Sequence, residues 1–201
     1  MSTRARLPTD ERREQLLRVG LELFGSRPYG DVGTADIARR AGVSHGLLFH
    51  YFGDKRRYYL EVLRWVADDL LSAQAADDDA SAWERLQAKL RAQVDFADRY
   101  TTGYRALVSG GNGADAELAE LAEDARWRSI RLIADALDVA EPAPALRIAL
   151  RGWQGFTEGA ILEWLKHRDL PAEELVDLLA HELISTLRGM GVDLAPAKRR
   201  G

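Results

Sequence analysis

Apolar side chains recur along most of this chain at intervals of three and four, the spacing that lines one face of an α-helix. Over residues 9–25, Leu17, Gly20, Leu21 and Phe24 form such a stripe, with Arg12, Arg13 and Arg18 mostly off it. Thr9 is the expected N-cap, and Asp10 and Glu11 follow in the first turn, where the positive end of a helix favours them. Tyr59, Val62, Leu63, Val66 and Leu70 repeat the pattern over residues 55–75, and Trp83, Leu86, Leu90, Val94 and Phe96 over 80–100. A short helix is expected over 104–109. A longer one over 114–139 is carried by Leu118, Leu121, Ala122, Ala125, Ile133 and Leu137.

The last two helices, 145–167 and 171–190, are apolar around more of their circumference. The first has Leu146, Leu150, Trp153 and Phe156 on one side and Ala149, Ala160, Ile161 and Trp164 around the other. The second has Leu175, Leu178, Leu179, Leu183, Ile184 and Leu187. A helix wetted along one face needs a single stripe. Wider coverage predicts a second buried side, and a two-fold interface with the same helix pair of a second copy is expected at Ile161, Trp164, Leu179, Leu183 and Leu187. Burial in one larger core is the alternative.

The breaks between stripes are turn signals. Residues 25–30 read GSRPYG, Asp77, Asp78 and Asp79 mark a solvated loop, and Pro142 and Pro144 separate the long helices. Gly110, Gly111 and Gly113 form another break, without the lysine and hydroxyl that a phosphate-binding loop requires. The whole is an all-α chain of about nine helices.

One stretch departs from simple stripes. Residues 34–51 read TADIARRAGVSHGLLFHY. Ile37, Ala38 and Ala41 give a short helix one apolar face, Gly42 ends it, Val43 turns inward, and Ser44 is placed to cap the next helix. Leu48 and Phe52 are expected to anchor that second helix to the core. This is the helix-turn-helix plan, in which the second helix enters the DNA major groove. Residues 34–55 resemble the TetR family of transcriptional regulators in the run DIA at 36–38, AGVS at 41–44, Gly46, Tyr51-Phe52 and Lys55.

The resemblance covers the first quarter to third of the chain. It implies a three-helix DNA-binding domain, 1–53, and a helical effector-binding and dimerisation domain, 54–201. It also implies that Ser44, His45, Gly46, Leu47 and His50 approach bases or nearby phosphates, and that Thr34, Tyr51 and Lys55 contact phosphates. Two positions depart from the family pattern: Gly33 replaces a Ser or Thr cap, and Phe49 replaces a Tyr, so that a phosphate contact by the hydroxyl is lost or its job is done elsewhere.

Charge is divided along the chain. The net charge is −4, yet residues 1–60 hold eleven Lys and Arg against seven Asp and Glu, a balance of +4. The positive potential therefore lies on the part expected to meet DNA. Arg4 and Arg6 fall in an expected N-terminal arm, and Lys198, Arg199 and Arg200 in a solvated tail. There is no cysteine, no apolar leader and no apolar run long enough for a membrane span. A cytoplasmic location is expected, with no membrane partner.

The remaining candidates concern a small ligand. In the resembled family the later helices enclose an effector pocket, and Trp65, Tyr104, Trp127, Trp153 and Phe156 are the aromatic candidates to line one for a mainly apolar or aromatic effector. Glu158, an acid in an apolar stretch, is expected to meet a cationic ligand, to pair with an arginine such as Arg105, or to sit at the dimer rim. His167 and His181 have no metal-ligand spacing, no nucleophile motif is present, and no cofactor, metal site or catalysis is expected. The expected function is a ligand-responsive repressor that binds a roughly palindromic operator as a homodimer. The alternatives are an effector-free DNA-binding protein of the same fold, acting as activator or architectural factor, and a helical enzyme or adaptor with a look-alike hairpin.

Overall fold

The computed structural model describes residues 9–72, 82–109, 115–136, 139 and 141–192. Among them are nine α-helices, one 3₁₀ turn and no strand. The helices are α1 (Thr9–Ser26), α2 (Thr34–Ala41), α3 (His45–Phe52), α4 (Lys55–Ser72), α5 (Ala82–Arg99), α6 (Thr101–Val108), α7 (Ala116–Ala136), α8 (Pro144–His167) and α9 (Ala172–Gly189), with the 3₁₀ turn at Tyr29–Asp31. The arginine arm, the acidic loop at 77–79, the glycine break at 110–113 and the basic tail lie outside the described residues.

Helix α6 begins at Thr101, three residues before the expected start. No breaker separates it from α5. The Tyr100 N–H donates to the Phe96 carbonyl, and the Tyr100 carbonyl accepts from the Tyr104 N–H, both at 2.9 Å. One residue thus closes one helix and opens the next. Pro144 occupies the first turn of α8, where its fixed φ suits the helix and its missing N–H leaves nothing unpaired.

Two cores share α4. The first gathers Leu16, Leu17 and Phe24 of α1, Ile37 and Ala41 of α2, Leu48 and Phe52 of α3, Tyr58 to Leu63 along α4, and Leu118 and Leu121 of α7. The second joins Val66 of α4 to Leu90 and Val94 of α5, Ile130 of α7, Leu150 and Ile161 of α8, and Leu179, Leu183 and Leu187 of α9. Two close approaches weld α1 to its neighbours. A Cβ at Gly20 would lie 2.4 Å from Val62, and one at Gly103 would lie 3.2 Å from the Gly25 Cα. The Tyr58 hydroxyl reaches the Leu16 carbonyl at 2.5 Å, which places α4 along α1.

The expected interface residues sit elsewhere than anticipated. Ile161, Leu179, Leu183 and Leu187 are 0% exposed, covered by their own chain, so a second copy cannot touch them. Trp164 is half-buried and its indole N–H donates to the Leu170 carbonyl. Steps of four in α9 mark the inner stripe facing α5 and α8. The outward apolar stripe of α8 runs instead through Ile148, Gly152, Gly155, Phe156 and Gly159, all exposed, with Leu178 of α9 exposed as well.

Candidate nucleic-acid interface and internal cavity

The turn between α2 and α3 is built from the residues that its geometry demands. Gly42 has φ 64° and ψ 36°, a left-handed conformation that glycine adopts without a Cβ penalty. The Val43 N–H then returns to the Ala38 carbonyl at 3.0 Å. The Ser44 hydroxyl accepts from the Leu47 N–H, so one otherwise unpaired donor at the start of α3 is satisfied. Leu48 and Phe52 are buried, which fixes the opposite face of α3 outward. The Asp54 carboxylate accepts from the Arg57 N–H at 2.8 Å and caps α4.

On that outward side Ser44, His45, Gly46 and His50 are exposed, and Leu47 and Tyr51 are half-buried. A Cβ at Gly46 would meet nothing within 4 Å, so its backbone is open to a close partner. His45 is tied down: a ring nitrogen lies 2.8 Å from the Thr34 hydroxyl, and the Phe49 and His45 rings pack edge-to-face with centroids 4.5 Å apart. Phe49, the departure from the family pattern, therefore orients His45. Lys55 stands over the Tyr29 ring at 4.1 Å. Helix α3 contains no Lys or Arg, and the nearby cations come from α2 and α4. Of these, Arg39 and Arg57 are about three-quarters exposed.

Behind this head an ionic clamp joins α4 to α7. Arg56 forks onto Asp115 and also reaches Glu117, while Arg64 holds Glu117 at 3.1 Å. Asp115 also caps α7 through the Leu118 N–H. The Arg56 guanidinium holds the Asp115 carboxyl well below the usual carboxylate range.

A cavity of about 600 Å³, including its mouth, lies among α4, α5, α6, α7 and α8. Ala67, Leu70 and Leu71 of α4, Leu107 and Val108 of α6, and Ala122 and Ala125 of α7 make its apolar wall. Its polar groups are Lys89, Gln93, Tyr104, Arg126, Ser129, Gln154 and Glu158. Two of the six sequence candidates, Tyr104 and Glu158, are brought here. Trp65 lies in a different cleft, and Trp127 packs against the core beside the cavity. Trp153 is buried with its indole N–H on the Leu179 carbonyl, and Phe156 faces outward at 44% exposure. Glu158 pairs with Arg126, at 2.9 and 3.1 Å from its Nε, and not with Arg105, which is exposed.

Sequence reasoning missed Lys89, Gln93, Arg126, Ser129 and Gln154. Lys89 is 6% exposed, and its ammonium donates to the Ser129 carbonyl at 3.1 Å and to the Ser129 hydroxyl. That hydroxyl lies 3.3 Å from the Gln154 Oε1, and the Gln154 amide donates to Glu158 at 3.2 Å. The polar side of the cavity is thus one connected chain from Lys89 to Arg126. Burial pushes the Lys89 amine down to about 7 and the Tyr104 phenol up. A signal for Lys89 was present: it falls three residues after Leu86, inside the apolar stripe of α5.

Comparison with known proteins agrees with this arrangement. Residues 16–62 match the profile described as "Bacterial regulatory proteins, tetR family", and residues 83–186 match "Tetracyclin repressor-like, C-terminal domain". A tetR-family transcriptional regulator from Streptomyces coelicolor is 31% identical, with a TM-score of 0.80, over 91% of this chain and 83% of that one. The transcriptional activator FasR of Mycolicibacterium smegmatis is 38% identical over 116 residues, 57% of this chain and 53% of FasR, so the match spans about half of that relative. The regulator BetI of Stenotrophomonas maltophilia is 28% identical over 77% of this chain and 80% of its own length. The profile matched by the cavity-bearing helices covers more than half of the sequence, and the helix-turn-helix precedes it in the same order: the chain belongs to the tetR family of bacterial transcriptional regulators.

Proposed function

We propose that this chain is a ligand-responsive regulator that binds a roughly palindromic operator as a homodimer and lets it go when a small effector fills the cavity. The observation that carries this reading is the position of the cavity. Its wall is α4, the helix whose other end packs under the recognition helix through Tyr58 against Phe52, ring centroids 4.7 Å apart. An effector that favours a different setting of α4 or α6 shifts the reading head through rigid contacts. The Gly25–Gly103 approach and the Arg56 clamp carry the motion. The effector acts only as far as it binds one setting more tightly than the other. A packed second domain would favour an effector-free protein, whereas here a cavity opens among five of its helices.

Two recognition helices must face successive major grooves, about one helical turn apart. The surface suited to joining two copies is the exposed stripe of Ile148, Phe156 and Leu178, where Gly152, Gly155 and Gly159 leave room for a close partner helix. Ser44, Gly46, Leu47 and His50 then reach base edges. Thr34, Tyr51 and Lys55 set the register on phosphates, and His45 acts from its tether to Thr34. Occupying an operator within a promoter represses by occlusion. Activation is the second reading, favoured by the likeness to FasR, a transcriptional activator.

Selection of random duplexes by the purified protein tests the proposal. Enrichment of a two-fold symmetric site, with affinity falling as salt rises, is the expected result. Weak binding to every duplex overturns it.

A further inference from the structure

Deepening the effector reading just given, on which it rests, we propose that the cavity takes an organic monocarboxylate, with its apolar body along α4 and α6 and its anionic end on Lys89. Charge balance is the first argument. Three lining side chains are charged in their ordinary protonation states: Lys89, Arg126 and Glu158. Arg126 and Glu158 neutralise each other in a two-contact pair. Lys89 is left with neutral acceptors only, the carbonyl and hydroxyl of Ser129. The cavity therefore holds one uncompensated positive charge among the described residues, at a site 6% exposed.

Placing an unpaired ammonium in an apolar interior costs stability, and a folded core avoids it unless the group is used. A carboxylate restores both the missing charge and the acceptor for the remaining ammonium N–H. Hydrogen-bond polarity is the second argument. The Ser129 hydroxyl, the Gln154 amide and Glu158 continue from Lys89 as an ordered chain, so Lys89 is held in place by its neighbours. Gln93, whose amide reaches the Tyr104 hydroxyl at 3.3 Å, sits one helical turn along α5 from Lys89. A neutral polar ligand gains hydrogen bonds here but leaves the charge unmatched. A cationic ligand meets like charge.

Binding should also take up a proton. Burial disfavours the charged amine and brings Lys89 down to about 7, whereas a carboxylate beside it would hold the proton. The titratable groups facing Lys89 are Tyr104 from α6, Arg126 from α7 and Glu158 from α8, while α4 offers only Ala67, Leu70 and Leu71. Affinity for an acid is accordingly expected to fall about tenfold between pH 6 and pH 8 as the unliganded amine loses its charge.

The test is calorimetric titration of the full chain with octanoate, 3-phenylpropionate and dodecanoate, each beside its methyl ester and the matching primary alcohol. The same series is run on Lys89→Met, which keeps the length of the side chain and removes a buried charge, so folding is not at risk. At least one acid is expected to bind ten-fold or more tighter than its ester and alcohol. That preference and its pH dependence should vanish in Lys89→Met. Esters and alcohols that bind as well as the acids, with no change in Lys89→Met, would overturn the carboxylate assignment and leave the cavity as an effector site. If no acid, ester or alcohol binds either protein, the assignment falls. If the selected operator is in addition indifferent to every one of these compounds, the effector reading loses its support with it.

Discussion

Two of the cavities beside helix α4 differ in where they keep their charge. The one among α4 to α8, about 600 Å³ with its mouth, keeps Lys89 and the Arg126–Glu158 pair largely out of water. The other, about 710 Å³, runs between α1, α4 and α5 past Trp65, Phe96 and Tyr100, and its charged groups Asp69, Asp95 and Arg99 are all exposed. The second is larger and richer in aromatics, the features that sequence reasoning favours for a ligand site. Its charges remain in water, so nothing in it is held at an energetic cost that a ligand would relieve. Depth of charge, not aromatic content or volume, separates a built site from a groove.

The largest effect should come from the enclosed pair. The side chains of Arg126 and Glu158 are only 16% and 12% exposed. Removing one partner leaves the other charge partly buried and uncompensated. Glu158→Ala is expected to destabilise the fold by about 3 kcal/mol, the lower end for a broken buried pair, because Arg126 keeps the Val108 carbonyl and a long contact to Glu123. Urea unfolding measures it. A loss below about 1 kcal/mol would place the pair in water and erase the contrast.

Next in size is the pH dependence of stability. The Lys89 amine ordinarily titrates at 10.5 and is pushed down to about 7 in the fold. Between those values the unfolded chain binds a proton that the folded chain has released, so stability should rise with pH through this window. The slope from this group is at most about 1.4 kcal/mol per pH unit. Denaturant midpoints from pH 7 to 9.5 should climb in the wild type and lie flatter in Lys89→Met, which is also expected to be the more stable protein at pH 6.

Why Lys89 escaped the sequence reading, while the helix-turn-helix did not, is a matter of range. The turn is made by neighbours: Gly42 takes a left-handed backbone, Ser44 caps a helix three residues on, and Leu48 and Phe52 lie four apart. Helix order, and most helix limits within a few residues, follow from the same short-range periodicity. The cavity is made by strangers. Lys89 meets Ser129 across 40 positions and Arg126 meets Glu158 across 32. Which side of a helix faces a void is fixed only when five helices pack. Trp153 illustrates the ambiguity, for its stripe position suited a pocket wall equally well, and it turned to the Leu179 carbonyl instead. The wide apolar girth of α8 was legible, but the register of its inner and outer faces was not. Ile161 went inside and Ile148 stayed out.

A third prediction concerns what the Lys89 cavity is connected to. Tyr104, Leu107 and Val108 of α6 wall it, and the same helix touches α1 where a Cβ at Gly103 would stand 3.2 Å from the Gly25 Cα. Gly103→Ala forces a backbone contact apart and should cost about 1 kcal/mol, overpacking set against better helix propensity. Its sharper signature is functional. Operator affinity and its response to an effector should change together, while binding of the effector to the DNA-free protein changes less. Unaltered operator affinity would remove α6 from the route between cavity and head.

The smallest effect tests the groove. Asp95 lines it from α5 and is exposed, so its charge is solvated whether or not anything occupies the cleft. Asp95→Asn is expected to shift stability by less than about 0.5 kcal/mol, the range of surface substitutions that break no buried interaction. It should leave acid binding and its pH dependence untouched, because no contact joins Asp95 to the chain running from Lys89 to Arg126. A clear change in effector affinity on Asp95→Asn would mean that the cleft is itself a ligand site. Exposed charge would then be no mark of an idle groove, and the distinction drawn between the two sides of α4 would fail at its simpler end.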